Sequence, residues 1–108
     1  MTSNTEFCLI TSTAYRIFVE ELAKHLTKAD QVLGNEQAQA DDLRDASNSF
    51  HTIRGGAGFF GLSDIAKIAG ELEKFLLASD FRSKGGFEES RKLVSRLHEL
   101  SKEMPKPQ

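Results

Sequence analysis

Apolar residues recur along this chain at intervals of three and four, the spacing of one face of an α-helix. Between Thr13 and Gly34 they fall at Tyr15, Phe18, Leu22, Leu26, Ala29 and Leu33, and Gly34-Asn35 supplies a stop. A second series, Leu43, Ala46, Phe50, Ile53, Ala57 and Phe60, ends at Gly61, with Leu62 placed to fold back as the apolar contact after a glycine cap. Ser63-Asp64 reads as a new N-cap and acidic first turn. Ile65, Ile68, Leu72, Phe75 and Leu76 then make a third stripe. Residues 79–86, with paired glycines, read as a loop. The fourth stripe is Phe87, Leu93, Leu97, Leu100 and Met104, with Lys92, Arg96 and Lys102 toward the end that favours positive charge.

The only prolines, Pro105 and Pro107, lie in the closing MPKPQ, so the strongest helix breaker is absent from every stripe. Four amphipathic helices joined by short links predict an all-α fold, an antiparallel up-down four-helix bundle around one core. The 108 residues suit a single domain, with the bundle over residues 12–104 and a polar tail at 105–108. A short extra helical turn is expected at Phe7 to Ile10.

Composition narrows the partners. A chain with 39% hydrophobic and 28% charged residues has only a modest core, with little left to line a deep substrate cavity, so its surface is the expected asset. Lys+Arg 14 against Asp+Glu 16 gives a net charge of -2, which argues against nucleic acid or an anionic membrane as partner. No apolar run approaches the ~18 residues of a membrane span, and the start MTSNTEFCLI lacks the pattern of a signal peptide. The single cysteine, Cys8, has no internal disulfide partner, so a reducing, cytoplasmic location is expected.

The second helix breaks the rules of its own pattern. Gly55, Gly56 and Gly58 lie inside it, each costing about 1 kcal/mol relative to alanine. One position along from the core residues runs a second stripe, Arg44, Ser47, His51, Arg54, Gly58 and Gly61, rotated by about 100° and expected to face water. His51 sits in its middle. The helical neighbours of His51 include Ser47, Asn48, Gly55 and Gly58, all small or short, so another protein's backbone could approach the imidazole closely. The exception is Arg54, three residues on, a fixed cation within reach of whatever the ring carries. An exposed imidazole has a reference pKa of about 6.5 and is substantially neutral near pH 7, so one ring nitrogen offers a lone pair without a separate base. With a phosphoryl group as electrophile, the arginine would stabilise charge on the transferring oxygens.

The run His51-Thr52-Ile53-Arg54-Gly55-Gly56-Ala57-Gly58-Phe59-Phe60-Gly61-Leu62 resembles the phosphorylation motif of histidine-containing phosphotransfer (HPt) domains. It does so in the version also seen in the N-terminal phosphotransfer domain of the chemotaxis kinase CheA. The resemblance implies a bundle whose histidine, here His51, accepts a phosphoryl group from a receiver-domain aspartate or a kinase domain and passes it to a response-regulator aspartate. Arg54 stands where the family usually has lysine. By the same resemblance Glu73 aligns with a glutamate that hydrogen-bonds the active histidine, and Gly70 stands where the chemotaxis version has a second histidine. The implied partners are a response-regulator receiver domain and a sensor or hybrid histidine kinase. No cofactor is expected on this domain itself, and Mg²⁺ is expected in the receiver. The implied role is that of a phosphohistidine carrier rather than an enzyme.

Other features carry less. Ser47, Asn48, Gly55, Gly58 and Phe59 are the expected partner-binding residues, and Gly56, off the His51 flank, suits close helix packing. Phe59 lies about 200° from Ala57 and either stays exposed as a partner anchor or packs beneath a loop or terminus. Glu73 has the alternative of simply facing solvent. His25 and His98 lack a glycine surround or adjacent cation and read as ordinary residues. Gly56-x-Gly58-x-x-Gly61 has the dinucleotide-binding spacing but follows a helical stripe instead of a strand, and no histidine-carboxylate spacing suggests a metal site. The competing function is a structural helical adaptor that docks a partner through the glycine-flanked surface without chemistry.

Overall fold

The four stripes fold as four helices. The structure, a computed structural model, describes residues 11–107. It contains α1 (Thr13–Leu33), α2 (Ala40–Phe59), α3 (Ser63–Leu76) and α4 (Gly86–Glu103). The turn expected at Phe7 to Ile10, and Cys8 with it, lie outside the described residues. Each helix packs on its neighbours in chain order, and α1 closes the ring on α4. Short links impose that up-down order. The α1 stripe is buried except for half-buried Phe18, and the α2 stripe except for half-buried Phe60. Each leucine, isoleucine or phenylalanine so buried contributes about 1.5–3 kcal/mol. The bundle measures 48 × 18 × 18 Å, so side chains fill its narrow interior and function falls to the surface.

Helix ends follow local chemistry. The Ser12 hydroxyl accepts from the Tyr15 N–H at 3.2 Å and caps α1. At the start of α2 the Gln39 N–H donates to the Asp42 carboxylate at 2.9 Å, which lets the helix begin ahead of its first core residue, Leu43. The far end of α2 closes as the sequence predicts: Leu62 N–H reaches the Ala57 carbonyl (2.8 Å) and Gly61 N–H the Gly58 carbonyl (3.2 Å), with Gly61 at φ 73°.

Two expectations are corrected, and the segment read as loop, which does stay outside the helices up to Gly85, carries a core residue. Ser63 is the first helical residue of α3, and Leu62 takes the cap position with no side-chain cap bond, because only Phe60, Gly61 and Leu62 link the helices and the turn at Gly61 leaves Leu62 alone before Ser63. In α4 the buried face runs Phe87, Ser90, Val94, Leu97, Leu100, while Leu93 is half-buried; a buried serine fills the turn that an apolar count skips. Phe81, inside the segment read as loop, is buried and packs edge-to-face on Phe75 and Phe87 at 5.7 and 5.0 Å. A Cβ at Gly86 would sit 2.3 Å from the Phe81 carbonyl oxygen, which requires glycine there.

Candidate functional site

His51 stands on α2 with 61% of its side chain exposed. Its Nδ1 lies 2.8 Å from Glu73 Oε1 on α3. Arg54, one turn along α2, places NH1 3.3 Å from Glu73 Oε2 and NH2 3.2 Å from His51 Nδ1. The carboxylate therefore bridges imidazole and guanidinium. Nδ1 cannot both donate to Glu73 and accept from Arg54. The shorter, charge-assisted contact assigns the proton to Nδ1, donated to Glu73, with Arg54 as an electrostatic neighbour. That tautomer leaves the lone pair on Nε2, the ring nitrogen farther from the backbone, with no protein partner among the described residues.

Glu73 is far more enclosed than His51: its side chain is 20% exposed, and Oε2 is buried with no directed hydrogen bond, held to Arg54 by charge. Of the two alternatives the sequence left open for Glu73, the structure takes the histidine contact. Gly70 has a local reason. A Cβ there would stand 3.2 Å from Arg54 Cδ, so the missing side chain leaves a track along which the arginine stem crosses α3 toward Glu73.

The glycines of α2 divide as their positions suggest. A Cβ at Gly56 would lie 2.6 Å from the Phe18 ring, so Gly56 serves the packing of α1 on α2. A Cβ at Gly55 or Gly58 would meet nothing within 4 Å. Their absent side chains do not serve the fold; they leave the helix flat beside His51. Phe59 is 81% exposed and stands edge-on to Phe60 at 5.0 Å, which takes the exposed alternative. Asn48 is exposed, and its carbonyl accepts from the Thr52 hydroxyl at 3.2 Å.

Ser47 is the exception among the expected partner-binding residues. It is 2% exposed, and its hydroxyl donates to the Glu73 carbonyl at 2.8 Å. The stripe that carries His51 outward passes through the α2–α3 seam at this turn, so Ser47 is an internal contact and not docking surface.

The other two histidines lie elsewhere. His98 on α4 meets Asp30 on α1 at 2.9 Å. His25 is half-buried on α1, where desolvation lowers its pKa from the usual value; Glu21 raises it and Lys28 lowers it by smaller amounts. The Gly56-x-Gly58-x-x-Gly61 run occupies the last turn and cap of α2, the negative end of the helix dipole, where an anionic phosphate bridge finds no N–H cradle. Among the described residues no group of three or more His, Cys, Asp or Glu could hold a metal ion, and no helix is long and apolar enough to cross a membrane.

Residues 14–104 match a protein-family model described as "Hpt domain". No curated protein and no solved structure matches the chain.

Proposed function

The chain belongs to the Hpt domain family, which serves histidine phosphotransfer in two-component signalling through phosphocarrier modules and not through classical enzymes; from that premise we propose that it is a phosphorelay intermediate with His51 as its phosphoacceptor. One observation carries the reading. His51 turns Nδ1 inward to Glu73 and leaves Nε2 bare beside two glycines that nothing else requires.

In the proposed transfer Nε2 attacks the phosphorus of a receiver aspartyl phosphate. The N–P bond forms as the bond to the aspartyl oxygen breaks, and the carboxylate leaves with that electron pair. Positive charge developing on the ring is met at Nδ1–H by the Glu73 carboxylate. The phosphoryl group bears negative charge that competes with Glu73 for Arg54, whose half-exposed side chain already places its guanidinium beside the ring. Reversal onto a second receiver aspartate regenerates neutral His51. Mg²⁺ bound by the receiver would supply charge neutralisation on the aspartate side. Asn48, Gly55, Gly58 and Phe59 would form the contact surface, in the cytoplasm where such receivers and their sensor or hybrid kinases meet. Transient signalling contacts of this kind are small.

The test is incubation with a receiver domain charged from labelled acetyl phosphate. Acid-labile, base-stable label is expected on this chain and absent from His51→Gln. Receiver binding that persists in His51→Gln, with no label on the unaltered chain, would replace the relay with the adaptor.

A further inference from the structure

The Ser47–Glu73 contact does something that neither the helix pattern nor the family motif accounts for. Glu73 begins the last turn of α3, where main-chain carbonyls run out of intrahelical donors. Leu77 N–H, which would close the α-helical bond to the Glu73 carbonyl, donates to Lys74 (3.3 Å) instead. The carbonyl so released is taken by the Ser47 hydroxyl at 2.8 Å. Ser47 and His51 are one turn apart on α2. Adjacent turns of one helix thus grip a single residue of the next: Ser47 holds its main chain and His51 meets its carboxylate.

We propose that Ser47 is a positioning residue for phosphotransfer, acting through Glu73 to hold the carboxylate against His51 Nδ1 and so to keep the lone pair on Nε2. The proposal rests on His51 being the phosphoacceptor. Its physical basis is that glutamate reaches its partner through three rotatable bonds, so the carboxylate can meet the ring consistently only if the main chain at its root is fixed. Arg54 does not fix it; that cation approaches the same carboxylate on a flexible stem with no directed hydrogen bond to Oε2. A second buried serine provides the contrast. Ser90 on α4 is fully buried, but its hydroxyl has no hydrogen-bond partner and it lies on the helix that does not bear the site.

The experiment uses the full chain, ¹⁵N-labelled, and reads the His51 tautomer from imidazole nitrogen shifts, alongside the transfer rate from a charged receiver. The variants are Ser47→Ala, Glu73→Ala, the double variant, and Ser90→Ala. In Ser47→Ala the His51 nitrogen shifts are expected to move toward those of Glu73→Ala. The transfer rate should fall about fivefold, the factor that corresponds to one ordinary hydrogen bond. In the Glu73→Ala background the serine change should do nothing further to either readout, and Ser90→Ala should leave both at the unaltered values. Should Ser47→Ala not fold, Ser47→Cys keeps the volume with a weaker donor and is expected to give a smaller shift in the same direction. A folded serine variant with unaltered His51 shifts and rate, or effects that add in the double variant, overturns the proposal. Unaltered protein that takes no label, while the nitrogen shifts behave as expected, removes the relay reading and leaves the positioning contact standing.

Discussion

Two histidines of this bundle meet a carboxylate across a seam between helices, at almost the same distance: His51 to Glu73 at 2.8 Å and His98 to Asp30 at 2.9 Å. The resemblance ends there. His98 bonds through Nε2, so its remaining nitrogen is Nδ1, crowded against its own backbone; His51 bonds through Nδ1 and leaves the outer nitrogen free. Asp30 is 53% exposed, whereas Glu73 is enclosed, anchored through its carbonyl by Ser47 and faced by Arg54. The helical neighbours of His98 keep their side chains, while those of His51 include Gly55 and Gly58, which face open space. A histidine–carboxylate bond is thus common surface chemistry. What sets the His51 pair apart is the outer ring nitrogen left without a partner among the described residues, a more enclosed carboxylate, and two glycines facing open space beside it.

The comparison breaks most sharply on the histidines themselves. Label transfer should fall to background in His51→Gln and stay unchanged in His98→Gln, measured on the same charged receiver; transfer lost equally in both would mean that the two pairs do not differ in kind. A charge placed on each surround comes next. Gly58→Glu should keep the far-ultraviolet helical signal yet slow transfer about tenfold or more, since it puts bulk and negative charge where a partner approaches. Lys102→Glu, one turn from His98, should leave the rate as it was.

A smaller effect is expected at the arginine's track. Gly70→Ala brings a Cβ to 3.2 Å from Arg54 Cδ, close enough to displace the stem by tenths of an ångström, and should change the transfer rate about twofold while slightly raising helix stability. The smallest concerns His25, where the nearby Glu21 carboxylate is outweighed by burial and no glycine surround is present. Burial lowers its folded-state pKa, so the unfolded chain binds the proton more readily. Its contribution to stability is complete above the reference value of about 6.5 and declines as pH falls from there through the folded-state value. Chemical denaturation across that window should show a shallow acid-side loss that His25→Gln removes.

The sequence disclosed the bundle because helix periodicity is local: the α1 and α2 stripes bury nearly as read, and Gly61 ends α2 as its place predicts. It disclosed the exposure of His51, its neighbour Arg54 and the open space at Gly55 and Gly58 because a helix surface is also local, fixed by spacing along one element. It misassigned Ser47, which lies only 100° or so from the core face. Whether such a flank meets water or a neighbouring helix depends on where α3 crosses. Ser90 and Phe81 were missed for a related reason: one is polar and the other lies outside any periodic run, yet both fill space that only the assembled bundle defines.

What the chain determines by itself, then, is which residues share a helix face and which imidazole is left unobstructed, since both follow from 3.6 residues per turn. What the packing of α2 on α3 decides is which groups meet that imidazole. Glu73 is 22 residues away along the chain, and its contact with Nδ1, its grip by Ser47 and the gap over Gly70 that admits Arg54 arise only when two helix surfaces interlock. No single-helix periodicity records the contact between two separately determined faces.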